Sequence, residues 1–323
     1  MAKCIESALI GGEDVEIIVV DDGSTDGTAR IADDYAAKYP TIVKAVHKEN
    51  GGHGDAVCAG ISHATGKYFK VVDSDDWLDK RAYPKVLATL KGVIERGEDL
   101  DLLISNYIYD KVGRRYKRVM RYDGGLPENE IITWEDERIR LKMDQYVLMH
   151  SVIYKTEVLH ACKLELPKHT FYVDNIYVCK PMLFVKTLMY LNVDLYHYFI
   201  GREGQSVNEQ TMIKRIDQQL LVDRILIEFL SENKPEIKNL YKFLFKYLDM
   251  MMCVTSSICL AGKTKELLQK RKDIWAFAKE TDKDLYKELK KSFLGVTMNL
   301  PGSVGRFFSR TGYRITQKLF GFN

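Results

Sequence analysis

Three carboxylates, Asp73, Asp75 and Asp76, stand together with only Ser74 between them, directly after the apolar run Phe69, Val71, Val72. Carboxylates this close repel one another, and a strand gains nothing from them. A bound cation offsets that repulsion. Hard oxygen ligands suit Mg2+ or Mn2+, and such ions commonly arrive with a phosphate-bearing ligand. A second acidic pair, Asp21 and Asp22, closes another β-branched run, and Asp174 opens an apolar helical stretch. The glycine-rich turn Asn50-Gly51-Gly52-His53-Gly54 precedes a helix, where backbone N–H groups are able to cradle phosphate. It lacks a Walker lysine-serine pair and a complete dinucleotide fingerprint, so a plain strand-to-helix turn stays open. Asp22, Ser24, Asp26 and Asp33 nearly fit a calcium loop, but a strand precedes them, position twelve is Asp, and no second copy exists. The histidines show no metal-ligand spacing.

The elements that must position these residues alternate. The pattern predicts a short helix over 2–10, a strand over 15–20, and a helix over 29–39 with Ile31, Tyr35 and Tyr39 on one stripe. A strand over 42–46, a helix over 55–64 and a strand ending at Asp73 follow. Such alternation predicts a parallel sheet with ligands beyond the carboxyl ends of its strands, so residues 21–22 and 73–76 line one crevice. Further on come a helix over 80–95, a strand over 102–109 and an exposed basic hairpin over 111–121. Thr133 and Asp136 have the spacing of a helix capping box. Residues 145–154 are apolar and ambiguous. A helix from Asp174 carries Pro181, short strands cover 189–193 and 195–200, and a polar loop spans 201–206. Beyond about residue 210 the spacing is helical alone.

The chain has 323 residues, 46% apolar and 29% charged, with seven prolines, enough for a large α/β domain with an appendage. A net charge of +3 gives no argument for nucleic acid. Six cysteines are scattered without a CxxC pair, which points to a reducing compartment. No signal peptide is visible, and the most apolar window, 240–262, is interrupted by Lys242, Lys246 and Asp249. A cytoplasmic protein is expected.

Taken together, the motifs are more specific than any one alone. Val-Asp-Asp-Gly-Ser-Thr-Asp-Gly-Thr at 20–28, Asn-Gly-Gly-x-Gly-x-Ala-Val-x-x-Gly at 50–60 and Val-Asp-Ser-Asp-Asp-Trp at 72–77 resemble glycosyltransferase family 2 in order and spacing. Phe171-Tyr-Val-Asp174 and the stretch from Tyr198 to Ser206 resemble its later part. The resemblance implies a GT-A fold, a Rossmann-like, mostly parallel sheet flanked by helices, over residues 1–206, with a helical region over 207–323. It implies that Asp21 and Asp22 meet the base of a nucleotide-diphosphate sugar, with UDP the usual nucleotide. Asp73 would lie near the ribose, and Asp75 would ligate Mn2+ or Mg2+ on the diphosphate. Gly51 and Gly52 would belong to the donor-binding turn, and Arg202 and Gln205 would either contact the diphosphate or stand solvated in their loop. Asp174 would be the general base of an inverting transfer to a saccharide or lipid-linked acceptor of cell-envelope or polysaccharide type. A helix start would hold that base ionised. The competing reading is a non-catalytic sugar-nucleotide-binding or scaffold protein on the same fold.

Some features depart from the family pattern. Val173 stands where an acid usually precedes the base, and the Gln-x-x-Arg-Trp motif of processive synthases is absent. The family's first strand has no counterpart before residue 3, so two ladders of backbone groups are expected to lack a partner, and Met1 is expected to be an internal methionine of a longer protein. At the other end Arg306, Arg310, Arg314 and Lys318 recur every four residues among Phe307, Phe308, Ile315, Leu319 and Phe320. No acid follows Glu288. Residues 300–323 therefore read as a basic amphipathic helix suited to an anionic membrane surface, or one packed on its own domain.

Overall fold

The computed structural model describes residues 1–113, 117–201 and 208–300. Arg202, Gln205 and the basic segment beyond residue 300 lie outside the described residues. The chain divides into two units, Met1–Ile200 and Gly201–Asn323.

In the first unit, α1 (Ala2–Ala8) buries Ile5 and runs into a 3-10 turn, Leu9–Asp14, where Gly12 takes φ 56°. The elements then follow as β1 (Ile17–Asp21), α2 (Thr28–Lys38), β2 (Val43–His47), α3 (His53–His63), β3 (Tyr68–Phe69), β4 (Trp77–Leu78) and α4 (Tyr83–Glu95). After these come β5 (Leu102–Lys111), β6 (Arg118–Met120), β7 (Ile131–Thr133), β8 (Val152–Lys155), α5 (Thr156–Cys162), α6 (Asp174–Cys179) and β9 (Thr187–Ile200). β1, α2, β2 and α3 fall within a few residues of their expected bounds.

The strands form two sheets rather than one. β1 and β2 pair in parallel, with Asp21 opposite His47. The larger sheet runs β3-β8-β5-β9-β4, with β6 on β5 and β7 on β9. Among its named strand pairs in the described residues, β5–β9 is the parallel one, so the pairing is mixed where a mostly parallel sheet is expected. The β5–β6 connection is too short for a crossover and permits only antiparallel return. The strand expected to reach Asp73 makes ladder bonds only at Tyr68 and Phe69. No strand among the described residues pairs with residues 70–73, nor with the edge of β1 away from β2. Helix α3 covers the split, with Gly60 facing both Phe69 and Val20.

Three further segments differ from the sequence pattern. Thr133 and Asp136 make a turn, Asp136 N–H donating to the Thr133 carbonyl at 3.1 Å, and no helix follows. The Asp136 carboxylate accepts from the Arg138 guanidinium instead of capping. The two short strands near residue 190 are one strand, β9, carried past Asn192 by a register shift at Asn106. Asn106 Nδ2 donates at 2.8 Å to both Asn192 and Asp194, which satisfies the irregularity. Residues 149–151 form a 3-10 turn that leads into β8 and brings His150 into the core.

The described part of the second unit is helical: α7 (Glu209–Lys214), α8 (Ile216–Glu232), α9 (Lys238–Gly262), α10 (Lys265–Thr281), α11 (Lys283–Lys291) and α12 (Phe293–Met298). Thr264, Asp282 and Ser292 cap three of these through side-chain oxygens. Despite its charges, α9 is long and apolar enough to cross a membrane, but its most apolar window is 72% buried inside the unit.

Asp223 of α8 is fully buried, and only one of its oxygens accepts a hydrogen bond, from Gln219 at 3.1 Å. Burial pushes its pKa up to about 7. Between the unfolded value and that one, the unfolded chain has lost the proton while the folded chain keeps it. Stability therefore falls as pH rises through this window and levels off above it, at about 1.4 kcal/mol per pH unit. Asp223→Asn is expected to raise the urea midpoint of the full chain at pH 8 and to change it little near pH 4.

Candidate functional site

The site is built where β1, β2 and the acidic turn meet the glycine turn and α6. Asp21, at the end of β1, is 5% exposed. One of its oxygens accepts from Ser24 N–H at 3.1 Å and the other faces His47 Nδ1 at 3.0 Å. These bonds lower its pKa. Asp22 is a junction. It accepts from Lys48 Nζ at 2.7 Å and from the N–H groups of Gly51 and Gly52 at 2.9 and 2.7 Å. Burial opposes ionisation of Asp22, but these donors outweigh it and the pKa falls. The two glycine N–H groups thus point at a carboxylate of the protein itself.

Glycine is required at this junction. Gly52 has φ 85° and ψ 174°, a region essentially reserved for glycine. A Cβ there would stand 3.0 Å from His169 N, whose N–H donates to Gly51 O at 2.7 Å. A Cβ on Gly51 would strike the Asp55 carboxylate, which pairs with Lys48.

The acidic turn follows β3. Asp73 N–H donates to the Tyr196 hydroxyl at 3.1 Å, and that hydroxyl donates to Asp76 at 2.7 Å. The second Asp76 oxygen accepts from Phe199 N–H at 2.7 Å. Both oxygens are thereby engaged, and Asp76 braces the turn. Burial first, and the Asp73 charge second, push its pKa up to about 7. Asp73 faces outward from this brace, with one oxygen 3.0 Å from His53 Nε2 and the other 4.0 Å from His150 Nε2. Burial works against its ionisation, and His53 overcomes it, so its pKa is lowered. Asp75 is exposed at the tip of the turn.

His150 is the residue that motif reading misses. It is stacked on Tyr198 with ring centres 4.2 Å apart and meets Tyr196 edge-on at 4.8 Å. Its Nδ1 is buried without a hydrogen-bond partner. Burial drives its pKa down to about 4, so the ring is neutral and has a lone pair to offer. The only sequence signal is a histidine inside the otherwise apolar stretch 145–154. Lys70 is equally unexpected. Its ammonium donates to the His150 carbonyl at 2.8 Å, and burial lowers its pKa to about 7.

Asp73, Asp76 and His150 each offer a ligand atom within 4.8 Å of the others. Two carboxylates and a neutral imidazole are a donor set that Mg2+ or Mn2+ accepts, with His150 Nε2 the ring nitrogen nearer Asp73. Asp174 opens α6 behind the fully buried Val173. Its pKa is raised, by burial first and by the Asp73 charge, against the pull of His53. A helix dipole was expected to hold this carboxyl ionised. α6 has six residues, and its weak dipole loses to burial. His53 acts on both Asp73 and Asp174, so the acidic turn, the glycine turn and α6 converge.

A crystal structure of S. aureus TarS 1-349 shares this architecture at a TM-score of 0.50 and 19% identity, covering 90% of this chain and 86% of that one. The fold is the GT-A class. Residues 1–158 match the model of glycosyl transferase family 2. EpsH of Bacillus subtilis strain 168 is 27% identical over 262 residues, which are 78% of this chain and 70% of EpsH. YibD of Escherichia coli K12, an uncharacterized glycosyltransferase, is 27% identical over 226 residues, 68% of this chain and 63% of its own. GgaB of Bacillus subtilis, a minor teichoic acid biosynthesis protein, is 34% identical over 90 residues, 27% of this chain and 10% of its own. The alignments with EpsH and YibD span 70% and 63% of those proteins. Residues 1–158 are therefore similar to glycosyltransferase family 2, and the chain is a glycosyltransferase.

Gly52→Ala is expected to lower the unfolding free energy by about 2 kcal/mol, read from the urea midpoint of the full chain. An unchanged midpoint would mean the turn relaxes without cost.

Proposed function

We propose that the protein moves a sugar from a nucleotide-diphosphate donor to an acceptor hydroxyl with inversion at the anomeric carbon. The observation that carries this reading is the meeting of Asp73, His53 and Asp174 at one spot, with Asp22 locked onto the adjacent glycine turn. Asp21 and Asp22 face the nucleotide base, with Gly51 and Gly52 setting the Asp22 carboxylate. Asp73 takes the ribose side. Asp75, at the exposed tip, holds Mn2+ or Mg2+; the described cluster of possible donors, Asp73, Asp76 and His150, does not include it. When bound, such an ion supplies Lewis acidity and offsets the charge that builds on the diphosphate. Arg202, which follows β9 in sequence and lies outside the described residues, would add a cation to the donor. UDP is the nucleotide that the family resemblance favours.

Asp174 accepts the proton of the acceptor hydroxyl as that oxygen attacks the anomeric carbon. The bond from that carbon to the diphosphate oxygen breaks on the opposite face, and the nucleoside diphosphate departs. The proton remains on Asp174. Burial, by raising the pKa of this carboxyl, makes it a stronger base than an exposed aspartate.

Donor hydrolysis with UDP-sugars and Mn2+ tests the reading. Asp174→Asn is expected to cost about 10²–10⁴-fold in rate, and Asp75→Ala to abolish the response to Mn2+. Nucleotide binding by the native chain with no turnover toward any donor or acceptor would support the non-catalytic binder instead.

The acceptor we propose is a cell-envelope or polysaccharide-type saccharide, free or lipid-linked, reached by a cytoplasmic protein peripheral to the inner face of the membrane. The six cysteines are all unpaired, in keeping with a reducing compartment. Phe293, Val296 and Leu300 lie three and four residues apart and are 70%, 49% and 37% exposed. This apolar stripe leads directly into the acid-free sequence of residues 300–323. Co-sedimentation with vesicles containing phosphatidylglycerol is expected for the full chain. It should weaken when residues 301–323 are removed and when Phe293 and Val296 are changed to Ser. Equal pelleting of all three proteins would count against membrane contact.

A further inference from the structure

His47, the last residue of β2, has a carboxylate on each ring nitrogen. Nδ1 is 3.0 Å from Asp21 Oδ2, and Nε2 is 2.9 Å from Asp33 Oδ1 on α2. A neutral imidazole has one N–H, so one of these contacts would set a lone pair against a carboxylate. Only the imidazolium donates to both. With both bonds made, His47 ties the end of β1, the end of β2 and helix α2 together around the loop of residues 22–27.

We propose that protonated His47 is a positioning residue for the nucleotide: it fixes Asp21 and, through Asp33, closes the loop of residues 22–27 over the donor pocket. The inference rests on the reading of Asp21 as a nucleotide contact. It adds a pH-controlled clamp that no motif in the chain describes.

The charged groups facing the ring are Asp21 from β1 and Asp33 from α2, and both carboxylates raise its pKa above the ordinary histidine value. The neighbouring cation, Lys48, is turned away to Asp22 and Asp55. The remaining Asp21 oxygen is held by Ser24 N–H, which alone leaves the carboxylate tied to its own loop and not to β2. A raised histidine pKa means the clamp is closed below that pKa and opens as pH rises through it. Nucleotide affinity should therefore decline on the alkaline side for a reason unconnected with the base, Asp174, whose own titration acts on turnover.

The test uses the full chain, its Asp21→Asn and His47→Gln variants, and two probes: UDP and GDP, each with Mn2+, by calorimetry from pH 6 to 9. Amide hydrogen exchange of residues 22–28 is followed in parallel without nucleotide. In the native chain, exchange should speed up and the tighter nucleotide's Kd should rise along one titration. His47→Gln should show fast exchange throughout and about tenfold weaker binding at pH 6.5, converging with the native chain at pH 9. If Asp21→Asn weakens binding but His47→Gln changes neither exchange nor Kd, the clamp is overturned while Asp21 keeps its role. If Asp21→Asn leaves binding untouched, the nucleotide role of Asp21 falls and the proposal with it.

Discussion

Carboxylates crowded at a strand end must be held apart from one another yet kept charged, and most of the first unit serves that requirement. Asp21, Asp22, Asp73 and Asp76 each receive donors from a different part of the chain: His47 and Ser24, Lys48 with the glycine turn, His53, and the backbone of β9 with Tyr196. Where a cation or several N–H groups are supplied, the pKa falls and the carboxylate stays ionised, as at Asp21, Asp22 and Asp73. Where the donors are a phenol and one amide, burial wins, as at Asp76. The difference separates three ionised acids from one that braces the turn.

The same balance acts around Asp174. Asp174 sits near enough to His53 and Asp73 to feel both, and its environment strengthens it as a base. Burial keeps His150 neutral and lowers the pKa of Lys70 to about 7, which weakens the positive charge beside Asp73. Tyr198 lies between these groups, stacked on His150 and sensing Asp174, Asp73 and Asp76.

Legibility followed the range of the interactions. β1, α2, β2 and α3 are close to their expected bounds because apolar periodicity, Pro40 and the glycine turn act over a few residues. The capping spacing at Thr133 was misleading because Arg138, two residues on, competes for Asp136. The strand before Asp73 shortened to two residues because ladder bonds need a neighbouring strand, which no local pattern supplies. The fusion of two short strands into β9 likewise depended on Asn106 reaching across from β5.

Residue types and spacing alone carried the resemblance to glycosyltransferase family 2 and the expectations for the acids at 21–22, 73–76 and 174, because those motifs demand particular side chains at particular offsets. Tertiary structure alone decided which acids are ionised, that His53 joins Asp73 to Asp174, that His150 enters from an apolar stretch, and that His47 bridges two carboxylates. Charge state depends on burial and on partners distant in sequence, and neither is set until the sheets, the glycine turn and α6 are packed together.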